Sequence, residues 1–357
     1  MTARAKTPLS LLVGLSATLR APVLEAMTDA TTVVVEVDQD ELPRRGVLSW
    51  RVHDRSGPID AGEFTVGDDC GACQLIESLV PLLETLAERA HWDHIVLAAP
   101  PAMEARPLVS TLVSVLPEIV VDTVTCVVDA VLLVAQLSGD ELLAERGLAL
   151  GLPDRRNVAE LTARQIEYAD VCVLANAHRS ASPERLEHLL GHLNPRTEVV
   201  PAGGSGVPDG QVARTGRFDF DAAEAWAGEL ATSDRLQPSD DGVTTVLWRS
   251  TRPLHPARLN DALEDIVTGV VRSRGVVWLA NRPTQRVRWE SAGYSASLGM
   301  LGEWSDTEHL AECTVVATGM GLDPARLQAI LDACLLTESE LASLDWSDLE
   351  DPFDGVF

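Results

Sequence analysis

The sequence predicts an α/β protein in which a parallel sheet is covered by helices and a smaller α+β domain follows. Two observations carry this. Over the first two hundred residues, short apolar runs alternate with amphipathic stretches of helical period. After a Gly/Pro-rich passage, the spacing of the apolar runs changes.

The expected strands of the first part are Leu9–Val13, Thr32–Val37, Ile95–Ala98, Val124–Val128 and Val171–Leu174. They are short and mostly β-branched, as strands buried on both faces should be. Between them, Leu75, Leu79, Leu82, Leu83 and Leu86 recur at intervals of three and four and mark one apolar stripe on a helix. The stretch Pro201–Gly210 reads as a loop, and a short helix is expected near Ala222–Leu230. In the second part, Val243–Trp248, Val276–Ala280, Val287–Trp289 and Cys313–Ala317 read as strands. A helix is expected over Pro256–Arg272, with Leu259, Leu263, Ile266, Val267 and Val270 on one face, and another over Asp323–Leu335. Glu338–Phe357 holds seven acidic residues and no Lys or Arg, and reads as a partly disordered tail. The division is therefore a domain at 1–205, a linker at 206–242, a domain at 243–337 and an acidic tail at 338–357.

The 357 residues carry 54 acidic and 28 basic side chains, a formal charge of −26. That field disfavours contact with a phosphate backbone, so no direct nucleic-acid binding is expected; a basic protein partner is compatible with it. The apolar run Leu9–Val13 is too short for a signal-peptide core. No stretch reaches the roughly 18 apolar residues of a spanning helix, so a cytoplasmic protein without a membrane partner is expected. Of six cysteines, Cys126, Cys172, Cys313 and Cys334 sit in apolar surroundings and read as buried thiols; Cys70 and Cys73 are the one close pair. In a reducing compartment a disulfide framework is not expected.

Several longer runs resemble the CobW-like proteins, a branch of the P-loop GTPases. Ala90–Val96 is similar to the approach to that family's Walker B strand, Val124–Ala130 to the strand after it, and Gln165–Val171 to the run before its guanine-specificity motif. Arg252–Leu259, Gly275–Arg282 and Thr318–Asp323 resemble the CobW C-terminal domain. The resemblance implies a P-loop-type sheet followed by that smaller domain.

The nucleotide motifs depart from the family pattern. A P-loop needs G-x-x-x-x-G-K-[ST] after a strand, so that backbone amides wrap phosphate, the Lys neutralises charge and the hydroxyl holds magnesium. Gly14–Ala21 stands in that register: Gly14 fits and Arg20 keeps a cation, but Leu19 replaces the second glycine and Ala21 removes the hydroxyl. Pro22 also removes an amide donor. Gly14 and Arg20 are thus the candidates for residual anion binding, against a plain strand-to-helix turn that binds nothing. The next strand should end in a magnesium-serving acid and ends in Ala98-Ala99-Pro100-Pro101. Asp93 lies at its other end. The guanine-reading N-K-x-D is Ala175-Asn176-Ala177-His178, without the Asp, and His178 reads as solvated. GTP binding is therefore doubtful and hydrolysis is not expected.

Asp69–Leu75 falls in the register of a C-x-C-C run found in family members with metal-handling roles, with Ala72 in place of the middle cysteine. C-x-x-C spacing lets two thiolates share one zinc. A redox pair and two ordinary thiols are the other readings; register with the family favours zinc at Cys70 and Cys73. Further ligands would come from Glu36, His53, Asp68, a partner or water. The family branch most similar in its degenerate P-loop is actinobacterial and recruits a hibernation factor to ribosomes when zinc is scarce. The resemblance implies that role, with the ribosome or the factor as partner; a GTP-driven metal chaperone is the alternative. Trp278, Arg282, Arg286, Arg288 and Trp289 are residue types enriched at interfaces, and read equally as ordinary core or surface.

Overall fold

The computed structural model describes residues 6–67, 70–89, 91–151, 154–203, 206–207, 210–228, 239–304, 311–343, 345–346 and 349–355. The chain divides into two units, Met1–Val134 with Glu141–Ala227, and Ala135–Asp140 with Gly228–Phe357.

The first unit is an α/β layer structure. Its strands are β1 (Thr7–Val13), β2 (Thr32–Asp38), β3 (Val47–Asp54), β4 (Gly57–Thr65), β5 (His94–Ala98), β6 (Ile119–Asp129), β7 (Val171–Ala175) and β8 (Glu198–Pro201). They form one sheet in the order β4-β3-β2-β5-β1-β6-β7-β8. The run from β2 to β8 is parallel, and β3 and β4 extend it as an antiparallel hairpin. The central strands β5 and β7 are buried at every position, which is why they read as unbroken apolar runs. β4 exposes most of its residues and alternates weakly, and that edge hairpin is absent from the sequence-based expectation. The flanking helices are α1 (Ala17–Ala26), α2 (Leu42–Arg45), α3 (Gly71–Arg89), α4 (Ala105–Val115), α6 (Val158–Tyr168), α7 (Pro183–Leu193) and α8 (Phe220–Gly228); α5 (Leu133–Ser138) crosses the division, most of it counted with the second unit. In α3 the buried face is Leu75, Ile76, Leu79, Leu83 and Leu86, the expected stripe with Ile76 in place of Leu82.

Residues inside the segment read as a linker belong to this unit. Val212 is fully buried, the Phe218 amide donates to the Asp122 carbonyl, and the Trp226 indole N–H donates to the Leu193 carbonyl. Glu224 on α8 accepts from Arg106, Ser110 and Tyr168.

A polar seam crosses the sheet at the start of its parallel strands. The Ser10 hydroxyl meets His94 Nε2 at 2.8 Å and donates to Asp122 at 2.9 Å, and the Arg214 amide donates to Ser10. Asp170 is 4% exposed; one oxygen accepts from the Val124 amide at 2.5 Å, the other from Thr215. Burial lowers the His94 pKa to about 4 and raises that of Asp170 to about 6, with the Asp122 charge adding to the latter.

The second unit is an antiparallel sheet of β9 (Val243–Ser250), β10 (Arg272–Val277), β11 (Gln285–Ala292), β12 (Ser295–Glu303) and β13 (Cys313–Met320), ordered β12-β11-β10-β13-β9. Its helices are α9 (Pro256–Asp261), α10 (Leu263–Val267), α11 (Pro324–Ala333) and α12 (Glu338–Ser343). The long helix expected over Pro256–Arg272 is two short ones. It breaks at Ala262 and stops before Gly269, whose φ of +82° turns the chain, so that Arg272 opens a strand. Gly275 in that strand is required by close approach: a Cβ there would lie 2.0 Å from the Thr314 carbonyl oxygen. Trp289 is core, its indole donating to Ser273, so it is not an interface residue. The acidic segment after residue 337, expected to be partly disordered, is tied down where it is described. Arg258 bonds Glu340 at 2.8 Å, Arg282 bonds Asp351 at 2.5 Å, and Phe353 is buried. Among the described residues no helix is long and apolar enough to cross a membrane.

Candidate functional site

The turn between β1 and α1 is shorter than the motif register implies. Gly14 has φ +139°, and a Cβ there would lie 2.5 Å from the Val127 carbonyl oxygen, so glycine is required by backbone conformation and by the neighbouring strand. Ser16 then caps α1, its hydroxyl accepting from the Leu19 amide at 3.3 Å, and the Arg20 amide already donates to the Ser16 carbonyl. The helix thus begins at Ala17, two residues before the position of the second glycine. Amides that a phosphate-wrapping loop would leave free at 19 and 20 are engaged in cap and helix. Pro22 falls inside the helix, so the donor it lacks belongs to the helix ladder and not to the turn.

Arg20 does not reach over the turn toward a ligand. It is 7% exposed and donates to the carbonyl of Ala99 at the end of β5. Burial lowers its pKa to about 10, opposed by the charges of Glu36 and Asp38, so it remains a cation at neutral pH. Its Nε is buried without a partner. Arg20, Glu36, His53, Arg55, Glu25 and Thr28 are among the residues lining a cavity of 450 Å³ beside α1. Glu36 stands in register with Ala98 on the adjacent strand, so the acid absent from the tip of β5 has a neighbour on β2. Arg51 lies 3.1 Å from Glu36 and His53 Nε2 lies 3.8 Å from it. Arg55, Glu25 and Thr28 carry no sequence signal, since the end of α1 and the β3–β4 turn meet only in the fold.

Along the same C-terminal edge of the parallel strands, after β7, Asn176 adopts φ +57° and donates its amide to Asp129 at 3.1 Å. A Cβ at Gly203 would lie 3.1 Å from His178 Nδ1, so this ring packs on the loop after β8.

Cys70 immediately precedes α3 and Cys73 lies in its first turn; both are exposed. Their sulfurs are joined as a disulfide, with Cα atoms 5.3 Å apart, where a thiolate pair sharing zinc was expected and a disulfide was not. The physical reason is the spacing: residues i and i+3 at a helix start fall within disulfide range. The Cys73 amide donates to Cys70 Sγ at 3.3 Å. Gly71 fixes the turn, since a Cβ there would lie 1.7 Å from the Leu150 carbonyl oxygen. Glu36 and His53 line the α1 cavity, and Asp68 lies outside the described residues. Among the described residues no group of three or more His, Cys, Asp or Glu side chains could hold a metal ion. When reduced, the pair offers two thiolates, half of a tetrahedral set. That donor chemistry fits an exchangeable thiophilic metal and not a closed structural site.

Residues 243–335 match the family described as the cobalamin synthesis protein cobW C-terminal domain. A Mycobacterium tuberculosis protein named as a zinc chaperone is 30% identical over 343 residues, spanning 82% of this chain and 79% of its own length. The chain belongs to the CobW family. Another relative of this CobW-family chain, zinc-regulated GTPase metalloprotein activator 1 of Dictyostelium discoideum, is 25% identical over 256 residues, covering 67% of this chain and 54% of its own. Among solved structures, Zn(II)-bound YjiA GTPase from E. coli aligns with 93% of this chain and 100% of its own at 15% identity, with a TM-score of 0.43.

Proposed function

We propose that this CobW-family protein is zinc-responsive, and that zinc on Cys70 and Cys73, rather than GTP hydrolysis, sets its state. One observation carries the reading: the exposed cysteines converge on each other at the start of α3, while the β1–α1 turn has its amides engaged and Arg20 turned inward. The names of the relatives, a zinc chaperone and a zinc-regulated GTPase metalloprotein activator, support the zinc part. Bound zinc would displace the two thiol protons, bridge the sulfurs and pin the loop before α3.

Competition titration of the reduced protein tests it. The wild type is expected to take up zinc and the Cys70→Ser, Cys73→Ser double variant to lose it. Equal affinity in both would remove the site. The same preparation with magnesium and GTP is expected to show no turnover. Turnover that Arg20→Ala abolishes would favour the alternative, a GTP-dependent zinc metallochaperone, which the relatives' names also support.

The finer reading is that the protein recruits a hibernation factor to ribosomes under zinc limitation. It rests on the resemblance to that branch, and an acidic surface suits a basic ribosomal protein or factor. In sucrose gradients the protein is expected to enter the ribosomal fractions in zinc-starved cells and to leave them on zinc addition. A protein that stays at the top of both gradients, with the cysteine variant behaving identically, would end this reading.

A further inference from the structure

Zinc binding requires two thiolates, yet the structure holds Cys70 and Cys73 as a bonded pair. The two states exclude each other, because a disulfide sulfur has no thiolate charge to give a metal. Three features separate this pair from the other cysteines. Both sulfur-bearing residues are exposed, whereas Cys126, Cys172, Cys313 and Cys334 are buried. The i, i+3 placement brings the Cα atoms to 5.3 Å, so the bond closes without moving the backbone. The turn is held from outside the pair, by Gly71 against Leu150 and by the Gln74 side chain accepting from the Gly67 amide at 2.7 Å. No third described ligand competes for the sulfurs.

We infer that Cys70 and Cys73 form a peroxide-responsive dithiol whose oxidation to the disulfide expels zinc, so that the protein reads oxidant and zinc scarcity as the same signal. The zinc part rests on the proposed function; the redox part does not. The chemistry balances. One sulfur attacks a hydroperoxide oxygen, the O–O bond breaks, and a sulfenic acid forms with water or an alcohol leaving. The second thiol attacks that sulfur, the S–O bond breaks, water leaves and the S–S bond forms. Two electrons and two protons pass from the dithiol to the peroxide. A small dithiol reductant restores the pair by exchange. Zinc on the thiolates must dissociate before or during the first step, since both sulfurs end in the new bond.

The experiment uses the full chain, reduced and metal-free, treated with stoichiometric hydrogen peroxide. Intact-mass measurement is expected to show loss of two hydrogens, and peptide mapping to place the bond between Cys70 and Cys73. Excess dithiothreitol should return both thiols. The Cys70→Ser variant should instead stop at an oxidised single thiol. In a second arm, zinc-loaded protein with a chromogenic chelator should release its zinc on peroxide addition. Thiols that stay reduced, or a bond formed between Cys126 and Cys172 in their place, would overturn the inference. Disulfide formation with no zinc bound by the reduced protein would leave the dithiol standing and remove the zinc reading. Zinc bound by the reduced protein but retained through complete oxidation of the pair would overturn the gating.

Discussion

Replacing Gly71 by alanine is expected to cost about 1–3 kcal/mol of stability and to weaken zinc uptake by the reduced protein at least about tenfold, or 1.4 kcal/mol. The added Cβ would stand 1.7 Å from the Leu150 carbonyl oxygen and 3.0 Å from a Val66 methyl. The first contact is backbone against backbone, so no side-chain rotation relieves it. Either the start of α3 or the loop at Leu150 has to move. Since Cys70 and Cys73 flank Gly71, a shift of α3 separates the two sulfurs from their present geometry. Thermal melts read the first effect and competition titration the second. Gly147→Ala is a poor control, because Gly147 adopts φ +68°; Ala72→Gly in the same turn leaves the contact with Leu150 untouched and serves better. A melt shifted downward with unchanged zinc affinity would show that Gly71 supports the fold and does not position the cysteines.

Substituting Asp170 with asparagine is expected to stabilise the protein at pH 8 by about 1–3 kcal/mol and to have almost no effect at pH 4. Burial raises the Asp170 pKa from 3.8 to about 6. As pH rises from 3.8 through 6, the unfolded chain ionises this carboxyl before the folded one does, so folding loses stability over that window and the loss is complete above it. Asparagine avoids the charge. Its carbonyl can still accept from the Val124 amide, and its NH2 can donate to the Thr215 hydroxyl. His94 works in the opposite direction. Its pKa is lowered from 6.5 to about 4, so as pH falls from 6.5 the unfolded chain takes up a proton first and stability is lost toward pH 4. In the wild type the two groups oppose each other between pH 4 and 6.5. The Asp170→Asn variant should therefore show a steep rise in stability across that range where the wild type is nearly flat. Denaturant unfolding at intervals of pH checks both slopes; parallel curves for the two proteins would refute the account.

The parallel core was legible because its strands are buried on both faces and read as apolar runs. Ile95–Ala98 and Val171–Leu174 fall within β5 and β7 to a residue. The edges were not: Gly57–Thr65 and Ser295–Glu303 expose most of their side chains, and their hydrogen-bond partners lie on neighbouring strands that local periodicity cannot see. At the site, the cysteine pair stood out by its spacing and its register with the family, and Gly14 by its place in the P-loop register. What the sequence could not carry was direction. Arg20 occupies the lysine register, but that its guanidinium runs under the sheet edge to Ala99 depends on packing against β5, and its company with Glu36 and His53 depends on two further strands.

The return of residues 211–227 to the first unit has a practical consequence for separating the two halves of the chain. Cutting at residue 205 would unplug Val212 from the core, strip the Trp226 indole from the Leu193 carbonyl, and leave Arg106 and the buried Tyr168 hydroxyl without Glu224. Such a fragment would expose the ends of β6 and β7, where Thr123, Thr125 and Asp170 are satisfied by Thr215 and by the Val212 carbonyl. A first unit kept whole therefore has to run through Ala227, and the passage that looks like a hinge in composition is, over 211–227, a clasp on the sheet of that unit.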